Sequence, residues 1–145
     1  MQEEFLTELE MMQNYQFLIS FDDEGMPEIR SDEPQPLGEG KYPNAVRYLS
    51  AAIGNCLCAS LAFCLRRAHS EPISIKATVH TTLGRNEAGR LRVTGIDVVI
   101  NPEVDEPAKL ERCIPLFQDF CTVSAAVKEG IDIKVSVEPI IPGIK

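Results

Sequence analysis

Five cysteines, Cys56, Cys58, Cys64, Cys113 and Cys121, are the residues of this 145-residue chain with the most obvious capacity for chemistry. A thiol reacts as its thiolate, and a thiolate at neutral pH needs a nearby cation or the N-terminus of a helix. Without one, free cysteine packs as a small, inert hydrophobe. Cys56 and Cys58 sit in "GNCLC", at the centre of the longest apolar run. That C-x-C does not chelate one metal ion, because at about 100° per residue a helix would point the two thiols about 200° apart. With no C-x-x-C and only two histidines, a zinc site is a poor fit, and we expect no metal and no cofactor.

The odd cysteine count and the acidic start "MQEEFLTELEMMQ", where a secretory signal would be basic and then apolar, point to a reducing cytoplasm. There, a cysteine pair is more often catalytic or redox-active than a persistent structural bridge. Cys121 is expected to open a helix, with its sulfur near free backbone N–H groups. Cys56 lies twelve residues beyond Asn44, out of range of its own helix dipole, and needs a side-chain cation. Arg47 is about 13 Å away along the axis and half a turn round, so it reaches Cys56 only across a dimer interface. Arg30 is the other candidate. Ser60, one turn after Cys56, shares its face. Cys58, Cys64 and Cys113 are expected to be packing residues.

These side chains have to be positioned by the surrounding elements. After an acidic segment over 1–14, the alternation of Tyr15, Phe17, Ile19 and Phe21 predicts a strand, "DDEGMPE" a turn, and Ile29 a short second strand. "SDEPQPLGEGKYP" is a loop. Asn44 to Ala68 reads as a helix, capped by Asn44 and ended with Arg66 and Arg67 near its C-terminal dipole. It is apolar nearly all round, which fits a membrane span or a helix buried on every side. We read burial and no membrane, since Arg47 and Asn55 interrupt it, and burial on both sides implies a partner subunit.

"ISIKATVHTTL" alternates as a half-exposed strand, and its partner 91–100 changes parity across Gly95, where a β-bulge is expected. His80 falls on the polar face. A helix follows Pro107, ending or kinking near Pro115, and a short one runs from Cys121 to Lys128 and stops at Gly130. "IDIKVSV" reads as a last strand. The order predicts one α+β domain over 1–145, an antiparallel sheet packed on a long central buried helix. The net charge of −8 opposes nucleic-acid binding. Residues 1–44 carry 11 acidic and 2 basic side chains, so the cysteine-bearing remainder is nearly neutral.

The stretch "DEPQPLGEGKYPNAVRYLSAAIGNCLCASLAF", the following hairpin and "FCTVSAAVKEGIDIKVSV" resemble the OsmC/Ohr family of osmotically inducible and organic hydroperoxide resistance proteins. The specific motifs are A-A-x-G-x-C on the long helix and, more than sixty residues later, C-x-x-S before a short helix, a glycine and an I-x-I-x-V strand. The resemblance implies an intertwined homodimer with active sites at the interface. It also implies a thiol peroxidase with peroxiredoxin-like activity against oxidative stress: Cys56 attacks an organic hydroperoxide, Cys121 resolves the sulfenic acid to a disulfide, and a small dithiol or dithiol protein reduces it.

Family hydroperoxidases carry a glutamate nine or ten residues before the first cysteine and an arginine in the turn after the first strand. Here those places hold Arg47 and Val46, and "FDDEG". Arg47 and Arg30 are therefore the candidate activating cations. The alternative is a non-catalytic dimer of this type that binds an apolar small molecule or serves another thiol-linked role. Substrate-binding residues are not legible.

Overall fold

The computed structural model describes residues 3–143. Its first layer is an antiparallel meander of β1 (Thr7–Met11), β2 (Phe17–Phe21) and β3 (Ile29–Ser31). β1 falls in the acidic segment where no strand was expected. All five of its residues are exposed, and it is held by pairing with β2 from Thr7↔Phe21 to Met11↔Phe17. The Asp22 carboxylate extends the hairpin by accepting from the Leu6 N–H at 2.9 Å.

The loop after β3 is organised by Asp32, which is 2% exposed. Its carboxylate accepts from the backbone N–H groups of Glu33 at 2.7 Å and Lys41 at 3.1 Å. Gly38 is required there, because a Cβ would collide with the Glu33 carbonyl and the Asp32 carboxylate. Desolvation pushes the Asp32 carboxyl up, but hydrogen bonds from the Lys41 and Glu33 backbone outweigh it and hold the group below its ordinary value. A carboxylate with a lowered folded pKa stabilises fully above its unfolded value, near 3.9, and loses that contribution as pH falls through the folded value. The melting advantage of the wild type over Asp32→Asn is therefore expected to hold at pH 7 and to fade below about pH 4. An advantage that grows on acidification would contradict this.

α1 (Ala45–Arg67) begins and ends where the sequence indicates. Asn44 Oδ1 accepts from the Arg47 N–H at 3.0 Å, which satisfies one of the free donors of the first turn. Ile53, Gly54, Leu57, Ser60, Leu61, Cys64 and Leu65 form its buried face. Ala51, Ala52, Asn55, Ala59 and Phe63 are exposed, so a single chain covers only one side of the helix.

The buried face packs on a long hairpin of β4 (Ser74–Arg85) and β5 (Leu91–Glu103). Gly54 sets the closeness of that contact, since a Cβ there would lie 2.7 Å from Val79 Cγ2. Alanine is the better helix former by up to about 1 kcal/mol. Overpacking costs about 1–3 kcal/mol, so Gly54→Ala is expected to lower Tm. A rise in Tm would show that Val79 gives way freely. The expected bulge is present: Thr82 pairs with Gly95 and Leu83 with Val93, leaving Thr94 unopposed.

α2 (Pro107–Cys113), a 3₁₀ turn (Phe117–Phe120) and α3 (Thr122–Glu129) complete the cover over α1. Ile53, Leu57, Leu61, Cys64, Leu65, Cys113, Phe117 and Cys121 make one core cluster.

Three expectations are corrected. The strands form two separate sheets, of three and two strands, and not one. Residues 131–137, read as a last strand, pair with nothing and are exposed throughout, because no element within the described residues covers them. Cys64 and Cys113 do not merely pack. They form a disulfide joining α1 to α2, with Cα atoms 5.9 Å apart.

Candidate functional site

Two elements bring Cys56 and Cys121 together, although they lie 65 residues apart in sequence. Cys56 sits on the face of α1 turned towards the returning segment, beside the core. Cys121 is the N-cap of α3, 1% exposed, and its sulfur accepts from the Ser124 N–H at 3.4 Å. Glycine, asparagine, serine or aspartate would be the common choice at such a cap. A sulfur there receives the helix's free N–H groups and the positive end of its dipole.

Burial pushes the Cys121 thiol up. Hydrogen bonds from the Ser124 side chain, Cys56, the Ser124 backbone and Ser60 act against it and leave the thiol below its ordinary value. Cys56 is among the groups that act on the Cys121 thiol, so the two free cysteines are neighbours. Ser60 and Ser124, both buried, are the polar companions of the pair, and the hydrogen bond formed by the Ser60 hydroxyl is its donation to the Cys56 carbonyl at 2.8 Å. Ser60 was legible from its one-turn spacing. Ser124 was not singled out, although C-x-x-S, with an N-cap followed three residues later by a polar side chain, carried the signal.

Cys58, in contrast, is pushed up by burial alone, as a packing thiol would be.

Cys56 opens to the surface through a depression lined by Ala59, Ser60, Phe63 and Phe120. Phe63 and Phe120 meet edge to face with centroids 5.4 Å apart, forming an apolar rim. Behind the site, a cavity of about 310 Å³ is lined chiefly by Ile53, Leu57, Ile96, Val98, Ile100 and Phe117.

Neither arginine joins the cysteines within the chain. The Arg30 guanidinium lies 6.0 Å from the Tyr42 ring centroid, and its carbonyl accepts from the Tyr48 hydroxyl. Arg47 lines a different depression, with Pro34, Gln35, Lys41, Tyr42 and Pro43 among others. The groups acting on the Cys121 thiol are hydroxyls, N–H groups and the other cysteine.

Fold and site define an α+β protein with a long helix buried on one side, beside which two cysteines distant in sequence become neighbours, accompanied by two serines. The chain belongs to the OsmC-like family: its sequence matches the family model described as OsmC-like protein over residues 38–136. Solved structures agree in fold. An OsmC-like protein of unknown function from Vibrio cholerae superposes with a TM-score of 0.75 at 16% identity, covering 88% of this chain and 95% of that one. An organic hydroperoxide resistance protein OsmC from Legionella pneumophila gives 0.65 at 14% identity, covering 91% and 94%. The organic hydroperoxide resistance protein OhrB of Bacillus subtilis gives 0.64 at 16% identity, covering 91% and 96%. Among curated proteins, nothing matches the sequence.

Proposed function

We propose that this protein is a thiol peroxidase that reduces organic hydroperoxides, with Cys56 as the peroxidatic cysteine and Cys121 as the resolving one. The observation that carries the reading is that Cys56, at the foot of a surface depression, neighbours Cys121, the N-cap of a helix. Cys56 as thiolate attacks the terminal oxygen of ROOH. The O–O bond breaks, ROH leaves after taking a proton, and Cys56 is left as a sulfenic acid.

Cys121 then attacks that sulfur, hydroxide leaves as water, and a Cys56–Cys121 disulfide forms. A second thiol close by protects the sulfenic acid from further oxidation. A dithiol closes the cycle by attacking the more exposed sulfur, Cys56. The stabilised Cys121 thiolate then leaves, since a lower thiol pKa makes a faster leaving group. The Phe63 and Phe120 rim suits an organic substituent on the peroxide.

The working unit is a homodimer. The uncovered side of α1 and the unpaired apolar segment 131–141 support this, as does the need for a cation at Cys56, which Arg47 or Arg30 of a second copy would supply. The test is consumption of cumene hydroperoxide by purified protein with a dithiol, beside a Cys56→Ser variant. Equal consumption by the two would sink the assignment.

A second reading rests on the apolar cavity of about 310 Å³ and on the distance of both arginines from the cysteines within one chain. In it, the protein is a non-catalytic dimer that binds an apolar small molecule. It requires that Cys56 alkylate with iodoacetamide no faster than a free thiol at neutral pH.

A further inference from the structure

We propose that Cys64 and Cys113 form a second redox site, a disulfide opened from the surface by an anionic dithiol held between Arg67 and Arg112. The inference goes beyond the peroxidase reading and does not rest on it. The bridge is not sealed inside the core. Both cysteines line a depression of about 340 Å³, shared with Arg67, Ala68, Arg112, Leu116 and Phe120.

Arg67 and Arg112 are exposed, and among the described residues neither forms an ion pair. The Arg67 guanidinium stands 5.7 Å from the centroid of the Phe63 ring, which keeps it at the rim. In a chain of net charge −8, two unpaired guanidiniums beside a disulfide form a local positive site that draws in an anion.

The spacing of the cysteines supports a paired arrangement. Cys56 and Cys64 lie eight residues apart on α1, and Cys113 and Cys121 lie eight apart on the returning segment. Cys64 is bonded to Cys113 while Cys56 neighbours Cys121, so two cysteine pairs stand side by side along α1. Phe120 lines the depressions of both pairs, and Cys113 begins the stretch that delivers Cys121.

In the reaction, one thiolate of the dithiol attacks Cys64, the less buried residue of the two at 9% exposure against 2% for Cys113. The S–S bond breaks, and Cys113 leaves as thiolate and takes a proton. The second thiol of the reductant attacks its own sulfur in the mixed disulfide and releases Cys64. Two electrons and two protons pass from the dithiol, which becomes a cyclic disulfide. A low-molecular-weight disulfide reverses the step.

The test uses a Cys56→Ser, Cys58→Ser, Cys121→Ser chain, in which only this pair remains. After equilibration with oxidised glutathione and desalting, it is expected to show no free thiol and a Cys64–Cys113 linked peptide by mass spectrometry. Dimercaptopropanesulfonate is then expected to open the bridge roughly tenfold faster than neutral dimercaptopropanol, an advantage that falls with salt and disappears in Arg67→Gln, Arg112→Gln.

Two free thiols after oxidation, a bridge reducible only in denaturant, or equal rates for the two dithiols would each overturn the proposal. If the triple variant does not fold, timed reduction of the wild-type chain by each dithiol followed by peptide mapping gives the same readout, since linkage 64–113 is distinct from 56–121. Because the triple variant lacks both proposed peroxidase thiols, its result is independent of that activity.

Discussion

Cys56→Ser is expected to lose hydroperoxide turnover by on the order of a thousandfold or more, whereas Cys121→Ser is expected to react about once per chain and then stall. The two variants differ because the residues act at different steps. A serine hydroxyl at position 56 has no anionic form at neutral pH with which to attack an O–O bond. A serine at position 121 leaves that attack intact and removes only the thiolate that displaces hydroxide from the sulfenic acid. In Cys121→Ser, Cys56 should accumulate as sulfenic acid, trapped by dimedone, and then over-oxidise to the sulfinic state. Turnover is then limited to slow direct attack by the dithiol.

The lowered Cys121 thiol adds a pH signature. Disulfide formation in the wild type should persist to lower pH than an ordinary thiol would allow, and decline as pH falls through the lowered value. Cys121→Ser lacks that limb. Turnover by Cys121→Ser at the wild-type rate would remove Cys121 from the cycle.

The local features were legible because local physics decides them. Asn44 is a good cap at the only place where an apolar helical run could begin, and α1 starts there. Gly95 marks a parity change in the sequence, and the hairpin absorbs it at Thr94. Cys121 precedes a short helix that ends at Gly130, so its N-cap position was readable.

What was missed depends on residues far away. β1 is exposed at every position and exists because β2 pairs with it. Cys64 falls four residues after Ser60 and eight after Cys56, all on one helical face. Nothing in the sequence says, however, that α2 returns along that face and brings Cys113 to it. Arg30 stands by Tyr42, at the loop built around Asp32, which a linear reading sees only as prolines and glycines, whereas the separation of Arg47 from Cys56 along α1 was already legible.

Removal of residues 131–145 is expected to abolish dimerisation and to lower Tm by many degrees, as measured by light scattering and thermal unfolding at micromolar protein. Ile131, Ile133, Val135 and Val137 alternate with Asp132, Lys134 and Ser136, the period of a strand with one apolar face. Yet all four are widely exposed, Val135 at 81%. A strand needs an edge to pair with and a surface to cover its apolar side. The two-stranded β4–β5 sheet and the β3 side of the meander present unpaired edges. An exposed edge is a template for pairing with another chain, and a second copy would supply both the edge and the apolar cover. Burying each aliphatic side chain contributes about 1.5–3 kcal/mol, so four of them weigh heavily against a total stability of about 5–15 kcal/mol. Val135→Lys, which would place a charge in that interface, should weaken the dimer without changing the helices. A full-length chain that is monomeric at micromolar concentration, with 131–141 open to protease, would overturn the homodimer and leave Cys56 without a cation from a second copy.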